Sequence, residues 1–448
     1  MAGNKRGIKP YIWGLAGMRK NRVIQNAKWI IICKIVQSLL QLLIGMFSAR
    51  YLGPSNYGLI HYAASIVAFA IPVMQLGLRS TLVQEFIEEP EKEGEIIGTS
   101  LVMNLVSAMA CMVAISVFVS VANPGETDTL IVCILYGISL FFQAIEMVQY
   151  WFQYKLLSKY PSVVMLISYM TVSAYKIYLL LSAKSVYWFV LSYSIDYCVI
   201  GMALLAIYLK MGKQQLRFSP AMAVQLFSRG KYYIVSGLMV TIFANTDHVM
   251  LKMIVGETEN GYYAAAITSA GIANFVYSAI IDSARPVILS SRKEGQECFE
   301  QNISRLYSII LYMGLAESIG VTLFAEIIVH ILYGQAYTAT IPVLRIVVWY
   351  IAFSYMGTVR NIWILAEGKQ NLLWVVNLSG AVFNVVLNYI LIPTWGACGA
   401  ALASVCTQFF ANFIIGFLIK PIRKNNMLII RGLHPKYFIG IAREILGK

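Results

Sequence analysis

The sequence has little charge for its length, and this scarcity decides the class of protein. Only 12% of its 448 residues are charged, whereas 59% are hydrophobic and the mean hydropathy is +0.69. A soluble domain carries about 25% charged residues, so half that share cannot cover a soluble surface of this size. The apolar residues also form runs of about 20 residues, the length of a helix that spans a bilayer. The sequence therefore predicts a polytopic membrane protein.

Several signatures of catalysis and metal binding are also missing. The seven cysteines form no CxxC pair or metal-type cluster, so the sequence gives no support to disulfides, zinc or redox chemistry. No GxxxxGK[ST] phosphate loop occurs, and nucleotide-driven export is therefore unsupported. His61 and His330 have no partners at metal-ligand spacing. We expect no enzyme activity, no metal and no cofactor.

The apolar runs predict an all-α protein of about twelve transmembrane helices. Turn signals separate the runs, for example Gly53-Pro54-Ser55-Asn56 and Pro393-Thr394-Trp395-Gly396. The candidate spans are 28–49, 59–78, 97–122, 129–151, 162–182, 186–209, 232–254, 262–288, 306–332, 341–366, 372–392 and 397–419. The first run is too long for the core of a signal peptide, and we interpret it as a retained membrane helix.

The net charge of +14 comes from basic residues in the loops and tails. With the N-terminus in the cytoplasm, 27 basic residues fall in cytoplasmic segments and three in external loops. This asymmetry follows the positive-inside rule, places both ends in the cytoplasm and argues against nucleic-acid binding. One cytoplasmic loop is instead acidic, with six glutamates between positions 85 and 95. We interpret it as a solvated loop.

The chain carries the mark of an internal duplication. Glycines flank the first external turn in LGPSNYG (52–58) and the fourth in VGETENG (255–261), at an offset of 203 residues. Six spans separate the two turns, so both copies have the same orientation, as in repeats related about the membrane normal. This predicts two six-helix halves with pseudo-twofold symmetry, 1–209 and 232–419, joined by a basic cytoplasmic linker, 210–231, and followed by a basic tail, 420–448.

Three segments resemble a known family. ARYLGPSNYGLIHYAASI (49–66), TDHVMLKMIVGETENGYYAAA (246–266) and FNVVLNYILIPTWGACGAALAS (383–404) are similar to motifs of the polysaccharide transporters, the O-antigen and capsule repeat-unit flippases. The larger superfamily includes multidrug extruders and the lipid II flippase. The resemblance implies a flippase that moves undecaprenyl-pyrophosphate-linked oligosaccharide to the outer leaflet by alternating access. It also implies an inner-membrane location, contact with membrane lipids, and a polysaccharide polymerase and chain-length machinery as partners.

Such a substrate needs a hydrated cavity with cations for phosphate, so basic residues inside the spans are candidates. Lys176 and Arg360 are the leading phosphate candidates, because both lie too deep to be simple anchors. Lys34 lies near a helix end and could instead extend to the interface. A local ion pair with Asp282 competes for Arg285. The two remaining candidates, Arg50 and Arg79, lie at the mouths of spans and could contact substrate at entry or exit.

Acidic residues inside the spans are candidates for ion coupling. Asp247 lies in a family-like motif and could bind a proton or cation, or could pair with Lys176 or Lys34. Asp196 and Glu317 lie near the middle of their spans and are the next candidates.

Three other functions compete with the flippase. A multidrug extruder for organic cations would favour net acidic charge in its cavity, whereas here the charge inside the spans is mixed. Relatives of the lipid II flippase commonly have two more helices. A polysaccharide polymerase or glycosyltransferase would need a sizeable external loop with catalytic residues, and the external loops here are short.

Overall fold

A computed structural model describes the backbone of residues 9–212 and 214–435, with side chains described from Leu40 onward. These residues form helices and short connections, without any strand. The α-helices are α1 Lys9–Met74, α2 Leu82–Glu88, α3 Glu93–Ala122, α4 Thr127–Gly137, α5 Ser139–Glu146, α6 Gln149–Tyr154, α7 Lys159–Leu181, α8 Val186–Met211, α9 Pro220–Val255, α10 Glu257–Ala270, α11 Asn274–Ser291, α12 Gln296–Leu332, α13 Thr340–Val347, α14 Tyr350–Ala366, α15 Leu373–Phe409, α16 Ile415–Leu418 and α17 Arg423–Leu433.

Ten helical stretches in the described part of the chain are long and apolar enough to cross a membrane. Two of them, Leu40–Met74 and Gln370–Leu418, each contain a glycine with non-helical backbone angles, Gly53 and Gly396. Each therefore consists of two helical segments, and the ten stretches correspond to the twelve predicted spans. The prediction of an all-α polytopic membrane protein is confirmed.

The two glycine breaks have local chemical causes. Gly53 has φ +72°, a left-handed value open to glycine, and Pro54 follows it at the start of the next segment, where proline is favoured. Gly396 has φ +52° and follows Pro393 by three residues. The Glu259 carboxylate then accepts a hydrogen bond from the Ala397 N–H at 2.7 Å, which satisfies a free donor of the new helical start.

The chain divides into two compact units. The first unit comprises Met1–Gly45, Ala70–Ser116 and Ile134–Ile234, and the second comprises Met46–Phe69, Val117–Cys133 and Val235–Lys448. The predicted linker, 210–231, falls within the first unit. The predicted division at 209 and 232 stays a prediction.

The two turns of the predicted duplication meet within the second unit, and we call this the glycine contact. A Cβ on Gly58 would lie 1.8 Å from the Glu257 carbonyl oxygen, and a Cβ on Gly261 would lie 1.9 Å from that of Pro54. Each pair repeats the other after a shift of 203 positions, as a twofold contact requires. Asn260 Nδ2 adds a hydrogen bond of 2.7 Å to the Gly58 carbonyl oxygen.

The acidic loop of the first unit is docked against the predicted linker, and the interpretation as a solvated loop is wrong. Glu85 is fully buried, with its Oε1 2.8 Å from Arg229 Nη1. Gln225 Nε2 donates to both Glu85 and Glu89, at 3.0 and 2.7 Å. Arg229 also pairs with Glu88. We call these five residues the acidic clamp; because its partners lie in the linker, that segment is part of the packed first unit.

Candidate functional site

Two carboxylates lie at the centre of a polar cluster within the spans of the first unit. Glu146, at the end of α5, is half-buried and accepts a hydrogen bond of 3.1 Å from Gln149. Asp196, on α8, accepts one of 2.6 Å from the Ser168 hydroxyl on α7. The two carboxylates are near enough for their charges to interact. Ionisable groups at this depth normally face a bundle interior or an aqueous cavity.

Two predicted cations join this cluster. The Lys176 ammonium lies 4.2 Å from the centre of the Tyr193 ring, a cation–π contact, and interacts with the charge of Asp196. Arg79 is exposed and interacts with the charge of Glu146. No carboxylate among the described side chains lies within ion-pair distance of Lys176. The structure thus brings Lys176, Arg79 and Asp196 together, and adds Glu146.

A second polar centre surrounds Asp247 in the second unit. Its carboxylate is buried and accepts hydrogen bonds from four neutral groups. The donors are Tyr263 Oη at 2.6 Å, Ser404 Oγ at 2.5 Å, Asn384 Nδ2 at 2.9 Å and Asn388 Nδ2 at 2.5 Å. No ion pair to Asp247 occurs among the described side chains, which do not include that of Lys34, one of its two suggested partners.

A cavity of about 290 Å³ opens beside this carboxylate. Asp247, Tyr263, Asn384 and Ser404 line it together with His248 and Gln408. The volume corresponds to about ten water molecules, at roughly 30 Å³ each. It suits a small ion with part of its hydration shell and is too small for an oligosaccharide.

Arg360 is buried in the second unit without a carboxylate partner among the described residues. Its Nη1 donates to the Ala411 carbonyl oxygen at 2.6 Å and to Asn412 Oδ1 at 2.9 Å, and its Nη2 donates to Asn361 Oδ1 at 3.3 Å. Its Nε has no acceptor there. The side chain is a packed cation whose Nε is unused, and its assignment to phosphate stays a prediction.

The other candidates lie apart from these two centres. Arg50 donates to the last carbonyl oxygens of α12, including that of Leu332 at 2.9 Å, and thereby caps that helix. Arg285 lies 3.7 Å from Asp282, the local pair that the sequence suggested. Glu317 accepts a hydrogen bond of 2.6 Å from the Tyr277 hydroxyl. The side chain of Lys34 lies outside the described residues.

Sequence reasoning missed the partners of Asp247. Asn384 and Asn388 are four residues apart in an otherwise apolar segment, and this spacing places two amides on one face of a helix. That signal was available within the third family-like motif. Tyr263 and Ser404 carried no comparable signal, since hydroxyl side chains are frequent in these spans. No group of three or more His, Cys, Asp or Glu suited to a metal occurs in the described part of the chain.

One family model and several known proteins are similar to this chain. A family model described as polysaccharide biosynthesis protein matches residues 23–292. The capsular polysaccharide biosynthesis protein CapF of Staphylococcus aureus is 21% identical over 406 residues, which cover 89% of this chain and all of that protein. The probable low-salt glycan biosynthesis flippase Agl15 of Haloferax volcanii is 23% identical over 202 residues, 44% of this chain and 43% of that protein.

Two solved structures show the same fold. The lipid II flippase MurJ in an inward closed conformation aligns with TM-score 0.70 and 14% identity, covering 94% of this chain and 99% of MurJ. An inward-facing multidrug resistance transporter of the MATE family aligns with TM-score 0.70 and 15% identity, covering 89% of this chain and 96% of that one. At these identities the likeness establishes the fold alone.

Proposed function

Because the chain belongs to the family of polysaccharide biosynthesis proteins, we propose that it is a flippase for lipid-linked oligosaccharides. Its substrate is an oligosaccharide repeat unit on undecaprenyl pyrophosphate, and the product is the same molecule in the outer leaflet. The observation that carries this proposal is the half-buried cluster of mixed charge around Asp196 within apolar spans of the first unit. A membrane protein retains such groups where a polar ligand passes.

The physical task is to lower the barrier for a polar, anionic head. Unaided transfer through hydrocarbon would leave hydroxyl and phosphate groups without hydrogen bonds, at several kcal/mol per group. A cavity lined by hydroxyls, amides and cations replaces the lost water, while the polyprenyl tail stays in lipid. Alternating access then moves the head between leaflets without chemical change, and we assign no enzyme activity to the chain.

The phosphate contact falls to cations of the cluster that form no ion pair with the described side chains. Lys176 is the leading candidate, since its ammonium rests on the Tyr193 ring and stays half-exposed. Arg79 lies at the other side of the same carboxylates. Arg360 has a free Nε, but its main hydrogen bonds stabilise the packing of α14, so its substitution would perturb folding as well as binding.

Asp247 is the leading candidate for ion coupling. Among the described residues, its carboxylate has only neutral hydrogen-bond partners, and Tyr263, Ser404 and Asn384 line the adjacent cavity. One carboxylate with neutral oxygens suits a proton or a monovalent cation better than a divalent ion, which takes several charged ligands. Asp196 and Glu317 are the next candidates. In proteoliposomes, Asp247→Asn should remove any dependence of transport on a sodium or proton gradient. An unchanged gradient dependence would exclude this role.

The remaining assignments concern location and partners. Both ends lie in the cytoplasm, and the chain resides in the inner membrane with polysaccharide polymerase and chain-length machinery as functional partners. Loop charge supports this topology. Reporter fusions at 220, 298 and 430 should be cytoplasmic, and fusions at 125, 258 and 336 external. A cytoplasmic reporter at 258 would refute the two-half arrangement.

Substitution of Lys176 tests the flippase proposal. Lys176→Ala should cause lipid-linked oligosaccharide to accumulate on the cytoplasmic face, because one charge-assisted contact of about 1.5–3 kcal/mol is lost. That corresponds to a roughly ten- to hundredfold weaker apparent affinity. The matched control is Lys210→Ala, at the exposed end of α8 in the same unit. Normal export by Lys176→Ala at normal protein abundance would refute the assignment of Lys176 to phosphate binding. Export of organic cations instead of oligosaccharide by the wild type would favour the multidrug alternative.

A further inference from the structure

Four tyrosines surround the carboxylates of the first unit. The rings of Tyr136 and Tyr193 stack with centres 5.0 Å apart and an angle of 28° between their planes. Tyr169 and Tyr197 both lie near Tyr136, and Tyr197 also lies near Glu146 and Asp196. We call these four tyrosines, with Glu146 and Asp196, the tyrosine–carboxylate cluster. All six side chains are half-buried, so they line a surface that a ligand can reach.

Three of the tyrosine hydroxyls are free to bind a ligand. No described group forms a hydrogen bond with the hydroxyl of Tyr136, Tyr193 or Tyr197, although tyrosine hydroxyls in protein interiors usually have a partner. The second unit provides a contrast, since the hydroxyl of Tyr263 is bonded to Asp247 and that of Tyr277 to Glu317. These two tyrosines find partners, whereas the hydroxyl of Tyr208, buried in the first unit, has none among the described residues. The unused donors and acceptors of the cluster call for a polar ligand.

From this geometry we infer that the tyrosine–carboxylate cluster binds the sugar portion of the substrate and determines which repeat units are accepted. The inference rests on the proposed flippase function. A pyranose has an apolar C–H face and a rim of hydroxyls. The stacked rings of Tyr136 and Tyr193 offer an aromatic face to the first, and the Glu146 and Asp196 carboxylates accept hydrogen bonds from the second.

The charges around the cluster select against other ligands. An anion within the cluster, rather than at its edge beside Lys176, would meet Glu146 and Asp196, and an organic cation would meet Lys176 and Arg79. Two cations and two carboxylates leave no net charge to attract either ion. A neutral, hydroxyl-rich ligand is compatible with both signs.

Lys176 defines the orientation in which the substrate would bind to the cluster. Its ammonium touches the Tyr193 ring and interacts with Asp196, so it lies at the edge of the cluster. In the proposed substrate, the pyrophosphate is bonded directly to the first sugar. A cation beside a stacked aromatic pair matches this covalent order, with phosphate at Lys176 and the first sugar on the tyrosines.

Binding by the purified full-length protein tests the inference with two probes, undecaprenyl pyrophosphate and the native undecaprenyl-pyrophosphate-linked oligosaccharide. Tyr136→Leu and Glu146→Gln should each weaken binding of the oligosaccharide-linked probe about tenfold, since each removes one sugar contact. Binding of undecaprenyl pyrophosphate should change less than twofold, because those contacts do not reach phosphate. Lys176→Ala should weaken binding of both probes. Tyr136→Phe, which keeps the ring, should have a smaller effect than Tyr136→Leu.

The control is Tyr178→Leu, an exposed tyrosine on α7 of the same unit, which should bind both probes as the wild type does. Variants are compared after matching their thermal unfolding midpoints in detergent, so that misfolding is not read as lost binding. Equal weakening of both probes, or no weakening of either, in Tyr136→Leu and Glu146→Gln would overturn the sugar site. Failure of the wild type to bind the oligosaccharide-linked probe would instead overturn the proposed function.

Discussion

The glycine contact and the acidic clamp are both tight, but they are held by opposite means. In the second unit, the backbone at Gly58 and Gly261 approaches the facing backbone so closely that no Cβ fits. In the first unit, the clamp depends on side chains, with buried Glu85 facing Arg229 and Gln225. Small residues allow close approach in membrane proteins without any charge. A clamp made of charges can weaken gradually, whereas a contact between backbones tolerates no added atom.

This comparison also separates what sequence could predict from what it could not. The glycine contact left a trace because both turns require glycine at the same offset. The clamp left none, since a run of glutamates is typical of solvated loops and Gln225 lies 140 residues from Glu85. Glu85 is buried because the linker packs against it, although the sequence of the linker suggests only a connection between two halves. Only the folded structure shows that the linker contains the partners of Glu85.

The candidate sites divide in the same way. Lys176 and Asp196 were found because charge inside an apolar span is rare and therefore visible. The tyrosines of the cluster were not singled out, since the chain has 28 tyrosines and those at span ends fit the ordinary aromatic belt. Neutral partners of Asp247 were hidden for a similar reason. The sequence therefore identifies the charged residues inside the spans, whereas only the structure shows which neutral residues surround them.

Breaking the glycine contact should have the largest effect. In Gly261→Ala, the new Cβ would lie 1.9 Å from the Pro54 carbonyl oxygen, where ordinary contacts begin at 3.4 Å. The two backbones must separate, at a cost at or above the usual 1–3 kcal/mol or so for overpacking. We expect a lower thermal unfolding midpoint in detergent and loss of surface polysaccharide.

The matched control for this prediction is Gly320→Ala. Gly320 lies within α12 and has nothing within 4 Å of an added Cβ, so alanine should be neutral or slightly stabilising there. If both variants behave like the wild type, the glycine contact is not required for the native state.

Neutralising the buried acid of the clamp should have an intermediate effect. Glu85→Gln keeps the shape of the side chain but removes the charge that faces Arg229, so the free energy of unfolding should fall by about 1.5–3 kcal/mol. Chemical denaturation in detergent measures the change. Glu91→Gln is the control, because Glu91 is exposed in the same loop. A loss no greater in Glu85→Gln than in Glu91→Gln would show that the buried acid does not hold the linker.

Neutralising the exposed acid of the clamp should have the smallest effect, and one that depends on pH. The hydrogen bond from Arg229, with a further one from Gln84, lowers the pKa of Glu88 below its usual 4.5. A carboxylate with a lowered folded pKa stabilises the fold above its unfolded pKa, and this contribution disappears as pH falls through the folded pKa.

Wild type and Glu88→Gln should therefore differ slightly in thermal midpoint at pH 7. The difference should begin to shrink near the unperturbed value for glutamate, about 4.3, and should vanish only below the lowered folded pKa. Because Glu88 is exposed, added salt should shrink the difference at pH 7 as well. A difference that grows on acidification would mean that Arg229 does not hold Glu88 in its charged form, and that the clamp depends on Glu85 alone.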